Sequence, residues 1–479
     1  MYNKINIAGI VLFFTLVMAG CKKWDDHTAV VQQDLTQNLL QAVSANPDLS
    51  KFREYAGLAG LDSTLQASKT FTVWAPTNAA LQTIDPATVA DKTKLRAFIL
   101  NHISNQQYFT KDVAATVRIL MLGGKYNNFS SLKFDEAGLG ATDKYVSNGV
   151  LHTINAMVPP LQNIWEFINS TTGQYAQNAF LVSLNYDGFD PSKAIIDSIS
   201  AVTGLPVYRP GTGVVKRNIF TDRVYDLNKE DKQYTYFVMQ DANFTVESDS
   251  LKNYFATTST SLTDIYTRLN VVKDLAFDTT WQTPFAIPQN LVSKSGISMT
   301  VNNAFIVDIK KMSNGQVYVM SRLDVPTKNK FLPITIQGEN PFGFLNNDRR
   351  ANTNYRVRLN PVTGLNFSDI LISGHGVTTF YSYYSLFEMP SMKYQVYAKA
   401  TNDFQAAAFS QTIVAWHTGL AAVQGSLIHA VPLFTATGAY DEKYLGDITI
   451  TRVGNIDWRL TAITTGPFML DYIRLVPVP

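Results

Sequence analysis

The chain has 479 residues, 46% of them hydrophobic and 16% charged, with 40 basic side chains against 38 acidic ones and a net charge of +2. So even a balance leaves no electrostatic footprint for nucleic acid, and no nucleic-acid partner is expected. The length predicts about three domains; with one cysteine there can be no internal disulfide, so their cores must hold them.

That cysteine is Cys21, in FTLVMAGCKKWDD (Phe14–Asp26). Lys4 makes a short basic start, Ile5–Val17 is almost wholly apolar, and side chains shrink through Met18, Ala19 and Gly20. This is the order of a secretory signal peptide over residues 1–20. Its apolar run falls short of the ~20 residues that a membrane-spanning helix takes. The tetrad Met18-Ala19-Gly20-Cys21 resembles the bacterial lipoprotein signal, whose cysteine sulfur receives a diacylglyceryl group. The resemblance implies cleavage before Cys21, lipid attachment there and a membrane partner through the acyl chains, each buried methylene contributing ~0.8 kcal/mol. The alternative is an ordinary secreted protein with an unpaired thiol, a liability in an oxidising compartment. Residues 21–30 then form a linker. Lys22, Lys23, Trp24, Asp25 and Asp26 resemble the surface-export signal of Bacteroidetes lipoproteins. The expected place is the outer membrane, lipid-anchored at the cell surface, with a periplasm-facing anchor as the alternative.

Next comes FTVWAPTNAAL (Phe71–Leu81). Phe71, Val73 and Ala75 alternate with Thr72 and Trp74, the pattern of a strand buried on at least one face. Pro76 ends it, and Thr77 or Asn78 is placed to cap a helix beginning near Ala79. LRAFILNHIS (Leu95–Ser104) has helical spacing. In YVSNGVLHTINAMVPP (Tyr145–Pro160), Asn148-Gly149 is the dipeptide of a type I′ hairpin. The following strand puts Val150, His152 and Ile154 on one face. These motifs resemble the fasciclin (FAS1) domain: Phe71, Thr72, Val73, Ala75, Pro76, Thr77 and Asn78 match its first motif. Asn148, Gly149, His152, Ile154 and the prolines match its second. The resemblance covers residues 31–161 and implies an α+β fold used for adhesion. Where the family has Tyr-His, this chain has Asn101-His102, so integrin binding is not carried over.

A degenerate second copy is expected over residues 162–327. YTYFVMQDANF (Tyr234–Phe244) overlays the first motif without its proline, and SNGQVYVMSRLDVP (Ser313–Pro326) overlays the second. From first motif to turn the distances are 77 and 80 residues (148 − 71 and 314 − 234). Retained spacing beneath diverging side chains marks a repeated fold. Asn314 and Gly315 then stand for Asn148 and Gly149, Tyr318 for His152, and Leu275 falls near the place of His102. The stretch Gly204–Asn218 reads as a loop-rich insertion. A histidine among apolar strand neighbours is either a ligand or a side chain satisfied by one hydrogen bond. Replacement by tyrosine, another ring with a polar tip, favours a structural role for His102 and His152.

From residue 331 to 479, β-rich runs alternate with Gly and Pro turns: KYQVYAKA (Lys393–Ala400), DITITRVGNIDWRLTAI (Asp447–Ile463, with a turn expected at Gly454-Asn455) and TTGPFMLDYIRLVPV (Thr464–Val478). Such punctuation indicates a β-sandwich or jelly roll. The whole is thus an α+β and all-β multidomain chain, two fasciclin-like domains followed by a β-sandwich. DWRLTAI and MLDYIRLVP resemble the last strands of galactose-binding-like jelly rolls, including carbohydrate-binding modules. That resemblance implies Tyr381, Tyr383, Tyr384, Trp416 and His417 as candidate glycan-binding residues, with a purely structural role as the alternative; Trp458, alternating with Ile456 and Leu460, is expected in the core. It also implies Asp471 as the position where a structural calcium would be tested, against a plain solvated carboxylate. No other cofactor is expected.

The sequence holds no HExxH, GxSxG, CxxC or P-loop. The expectation is a non-enzymatic surface lipoprotein for adhesion or for binding polysaccharide or another surface component. The alternative is a structural subunit docking on an outer-membrane uptake complex, and after it a glycoside hydrolase, whose two acids can lie far apart in sequence.

Overall fold

The computed structural model describes residues 32–323, 325–345, 352–419 and 426–479. The signal sequence, Cys21 and the residues after it up to Asp26 lie outside the described residues. The chain forms two compact units. One runs to Glu166 and takes in Leu227–Gln233 and Lys311–Gly315; the other comprises Phe167–Asp226, Tyr234–Lys310 and Gln316–Pro479. Among the described residues no helix is long and apolar enough to cross a membrane.

The first unit is built on a mixed sheet. β1 (Gln32–Asp34), β2 (Phe71–Pro76), β3 (Ile103–Ser104), β8 (Lys144–Val146) and β9 (Gly149–Ile154) lie in the order β1-β8-β9-β2-β3. β2 and β9 run parallel, six residues against six from Phe71↔Gly149 to Pro76↔Ile154. All twelve are buried, so both faces of the sheet are covered. Phe71, Val73 and Ala75 face a core with Leu39, Phe52, Phe98 and Ile99, which come from helices. Trp74 and Ile154 face a second core with Ile119, Phe129 and Phe134, supplied by the small antiparallel sheet of β4 (Val117–Leu120), β5 (Tyr126–Phe129), β6 (Lys133–Phe134) and β7 (Ala137–Gly138). Trp74 stacks on Phe134, ring centres 4.6 Å apart.

The expected type I′ turn is not formed. Val146 pairs with Gly149, so the two loop residues are Ser147 and Asn148, neither of which has positive φ. Gly149 is instead the first residue of β9. A Cβ there would sit 2.0 Å from the Phe71 carbonyl oxygen, so the requirement is close approach of two backbones rather than a turn conformation.

The motif recurs, mostly within the second unit. β14 (Tyr234–Met239), β15 (Ala276–Phe277), β18 (Ile306–Met312) and β19 (Gly315–Met320) form the order β15-β14-β19-β18, and β14 and β19 are again six residues long and buried throughout. The expected loop-rich insertion is a two-tier β-ribbon. β10 (Asn185–Phe189) pairs with β13 (Val214–Asn218), and beyond them β11 (Ile196–Ile199) pairs with β12 (Pro206–Tyr208). Its backbone groups find partners in each other, which a polar, Gly- and Pro-marked stretch does not announce. A short hairpin of β16 (Asn290–Val292) and β17 (Ser298–Thr300) precedes β18.

The same unit ends in a β-sandwich. One sheet has the order β20-β31-β25-β28: β20 (Ile334–Gln337), β31 (Tyr472–Val478), β25 (Lys393–Lys399), β28 (Lys443–Thr449). The other is β21-β24-β29-β26-β27: β21 (Gly343–Phe344), β24 (Tyr381–Met389), β29 (Gly454–Ala462), β26 (Phe409–Gly419), β27 (Ser426–Thr435). A three-stranded sheet joins β22 (Thr353–Leu359), β23 (Asn366–Ile372) and β30 (Phe468–Leu470). Burial alternates along β29, with Ile456, Trp458 and Leu460 inside. Tyr394, Val396, Ala398, Ile473 and Leu475 are the buried counterparts from the other sheet. Gly454-Asn455 opens β29 instead of making a turn, Gly454 pairing with Met389.

Candidate functional site

The motif residues form two matching sets of hydrogen bonds. Asn148 accepts from the Leu39 N–H at the start of a helix (2.8 Å) and donates to the Leu65 and Ala67 carbonyls (2.9 Å each). Asn314 accepts from the Ile164 N–H, again at a helix start (2.9 Å), and donates to the Leu227 and Lys229 carbonyls (2.8 and 3.0 Å). Each asparagine therefore ties an opening helix to the segment leading into the central strand. His152 Nε2 bonds the Tyr108 carbonyl (2.9 Å) and Tyr318 hydroxyl donates to the Trp281 carbonyl (2.7 Å). The Tyr108 N–H reaches Thr72 Oγ1 as the Trp281 N–H reaches Thr235 Oγ1. The Trp74 N–H donates to the His102 carbonyl as that of Phe237 does to Leu275.

Both histidines have two partners. His102 Nδ1 donates to the Phe98 carbonyl and its Nε2 accepts the Val158 N–H, while His152 Nδ1 accepts the Asp143 N–H. Burial lowers the pKa of His102 to about 4 and lowers that of His152, so both rings are neutral near pH 7. With both nitrogens engaged, neither ring is available as a ligand or a base. Thr77 Oγ1 accepts the Ala80 N–H, where a 3-10 turn rather than an α-helix follows. Asn78 serves another element: it accepts the Lys51 N–H at the start of the helix Ser50–Leu58.

In the sandwich, three candidates converge. Tyr381 and Tyr383 on β24 lie opposite Thr461 and Arg459 on β29, and Trp416 on β26 lies opposite Asp457. Strand alternation puts Tyr381, Tyr383, Ser385, Phe387, Asp457, Arg459, Thr461, Thr412, Val414 and Trp416 on the outward face of the five-stranded sheet. Arg459 joins the rings: its guanidinium carbon is 4.9 Å from the centre of Tyr381 and 5.2 Å from that of Trp416. Phe342 packs against both Tyr383 and Phe387. Sequence reasoning missed Arg459, although its place beside Trp458 in the alternating DWRL run directs it outward. Ser385 Oγ donates to Asp457 at 2.7 Å.

Two candidates fall elsewhere. Tyr384, next to Tyr383, points inward by the same alternation; it is buried opposite Trp458 and its hydroxyl donates to the Gly338 carbonyl. His417 lies over Gly454, with Nδ1 accepting the Gly419 N–H and Nε2 donating to the Arg452 carbonyl. Asp471 sits between β30 and β31, buried rather than solvated, with Lys399 Nζ 2.9 Å away. Burial raises its pKa, which Lys399 partly offsets. An ammonium thus stands beside the carboxylate proposed for calcium, and among the described residues no group of three or more His, Cys, Asp or Glu could hold a metal.

A parallel pair of buried six-residue strands, helices on one face and a small sheet on the other, with an asparagine lock, is the frame set by the first motif. Residues 47–160 match the fasciclin domain. No curated protein matches the chain. Among solved structures, a fasciclin (FAS1) domain pair from the insect cell adhesion molecule Fasciclin I is 15% identical, covering 59% of this chain and 99% of that one, with a TM-score of 0.23. A Podospora anserina GH26-CBM35 β-(1,4)-mannanase is 13% identical over 31% of this chain, with a TM-score of 0.21; the match spans only 28% of the mannanase. A carbohydrate-binding module CBM36 in complex with calcium and xylotriose is 13% identical, covering 30% of this chain and 98% of that one, TM-score 0.20.

Proposed function

We propose that the chain is a non-enzymatic surface lipoprotein that captures polysaccharide on the outward face of its five-stranded sheet, with the fasciclin domains serving adhesion. The observation that carries this reading is the convergence of Tyr381, Tyr383 and Trp416, with Arg459 between two of the rings. Aromatic faces pack on the apolar faces of sugar rings while a few polar groups fix orientation. Among the outward residues named on β24, β26 and β29, Asp457 alone carries a carboxyl, whereas glycoside hydrolysis uses two. No cofactor is proposed, since Lys399 supplies the positive charge beside Asp471. Acylation of Cys21 would hold the protein on the outer membrane, where tethering raises the effective concentration of weak contacts.

The test is affinity gel electrophoresis of the whole secreted chain through a panel of polysaccharides. At least one should retard it, and the triple variant Tyr381→Ala, Tyr383→Ala, Trp416→Ala should run unretarded. A chain that no polysaccharide slows, or a triple variant slowed as much as the parent, refutes the reading. Labelled palmitate on Cys21 and protease access in whole cells test the anchor and the face.

A docking role is favoured by one separate observation. The ribbon of β10–β13 exposes Ile199, Val202 and Leu205 at 59%, 94% and 65%, an apolar surface of the kind that meets a partner. Deleting the ribbon should abolish co-purification with an uptake complex if the chain is its accessory.

A further inference from the structure

The outward row on β24 does not stop at the sheet. Phe387, two steps of ~6.7 Å beyond Tyr383, lines a cleft of about 240 Å³ within the second unit, together with Arg223, Tyr266, Asn270, Lys273 and Glu388. Arg223 holds Glu388 in a two-pronged ion pair, 2.7 and 3.0 Å. Lys330 holds the buried Asp274 at 2.6 Å, and Ser293 bonds the other carboxylate oxygen. The Lys273 ammonium is left over: among the described residues it makes no hydrogen bond or ion pair, and Asp274 and Lys330 act on it only through space. Of the charged residues lining the cleft, Arg223 is paired with Glu388, and Asp274 behind Lys273 is taken by Lys330. One positive charge remains in a partly desolvated cleft, a costly arrangement until an anion arrives. Burial lowers the pKa of Lys273, in keeping with that cost.

We infer that this cleft takes the carboxylate of an acidic sugar unit, and that the polysaccharide class bound is therefore uronic-acid-bearing. The inference rests on the proposed glycan-binding face and adds a charge-reading end to it. The cavity is smaller than the ~300 Å³ at which drug-sized sites begin, which suits a single monosaccharide unit. Phe387 belongs to both surfaces, so a chain lying along Tyr381 and Tyr383 is directed to Lys273. An ammonium also suits a compact, singly charged group, and here it has no competing partner within bonding distance.

The experiment compares polygalacturonate with the same polymer fully methyl-esterified, in affinity gels run with the whole secreted chain. The parent should hold the acid form at least about tenfold more tightly than the ester. Lys273→Gln should bring the acid down to the level of the ester. Lys273→Arg should keep most of the preference. Because Lys273→Gln removes an uncompensated charge, its melting temperature should not fall, which separates lost binding from lost fold. Equal retention of acid and ester by the parent, or undiminished acid binding by Lys273→Gln, overturns the inference and leaves the glycan face standing. If neither these polymers nor any neutral polysaccharide is retained, the inference and the glycan reading fall together.

Discussion

Asn148→Ala should loosen the first fasciclin domain through three backbone groups at once. The Leu39 N–H and the Leu65 carbonyl lose buried bonds, and the Ala67 carbonyl a partly buried one. A buried polar group stripped of its partner costs ~1–3 kcal/mol and a net hydrogen bond ~1 kcal/mol, so the sum is about 3–7 kcal/mol. At ~1.4 kcal/mol per decade, amide hydrogen exchange of β2 and β9 should quicken by roughly two to five decades. Peptides holding Val73 and Leu151, read by mass spectrometry, report on this domain alone. Asn148→Asp should be no better, since it keeps the acceptor but sets a carboxylate against two carbonyls. Exchange within threefold of the parent would refute the idea that the asparagine locks helix to strand.

His102, with a pKa lowered to about 4 by burial, gives stability that is full above its unfolded value of ~6.5 and falls as pH drops towards 4, by up to about 3 kcal/mol. Urea midpoints at pH 7.5 and 4.5 should show that fall, and His102→Gln should flatten it. Lys399→Met should cost about 3–5 kcal/mol in the sandwich by leaving Asp471 buried and unpaired; thermal melts of that variant and of Lys399→Met with Asp471→Leu should show the second change recovering most of the loss. Tyr318→Phe removes one hydroxyl bond to the Trp281 carbonyl and should cost about 1 kcal/mol, measured by exchange in β19.

The repeat was legible because it is written in spacing. Two six-residue buried strands, a Ser-Asn-Gly turn and Leu275 in the place of His102 survive the loss of nearly every matching side chain. The task of Asn148 was not legible, since its partners lie 81 to 109 residues away and a local rule for Asn-Gly pointed to a turn. Tertiary packing overrode that rule by bringing Phe71 against Gly149. In FYSYYSLF, parity decides everything: Tyr383 faces outward and Tyr384 inward, and only pairing with Arg459 and Trp458 fixes which is which. Arg459 and Lys273 went unseen for a related reason. A cation in a sequence carries no sign of whether folding will give it a ring, a carboxylate or nothing.

The parallel pairing of β1 with β8 has a mechanical consequence. A pull applied along β1 from its Gln32 end would load three residue pairs, Gln32↔Lys144 to Asp34↔Val146, in shear. Pulled lengthwise, they share the load and must slip together, where a strand peeled from its end would unzip one bond at a time. A pull in that direction would therefore meet shear resistance at the entry to the first domain.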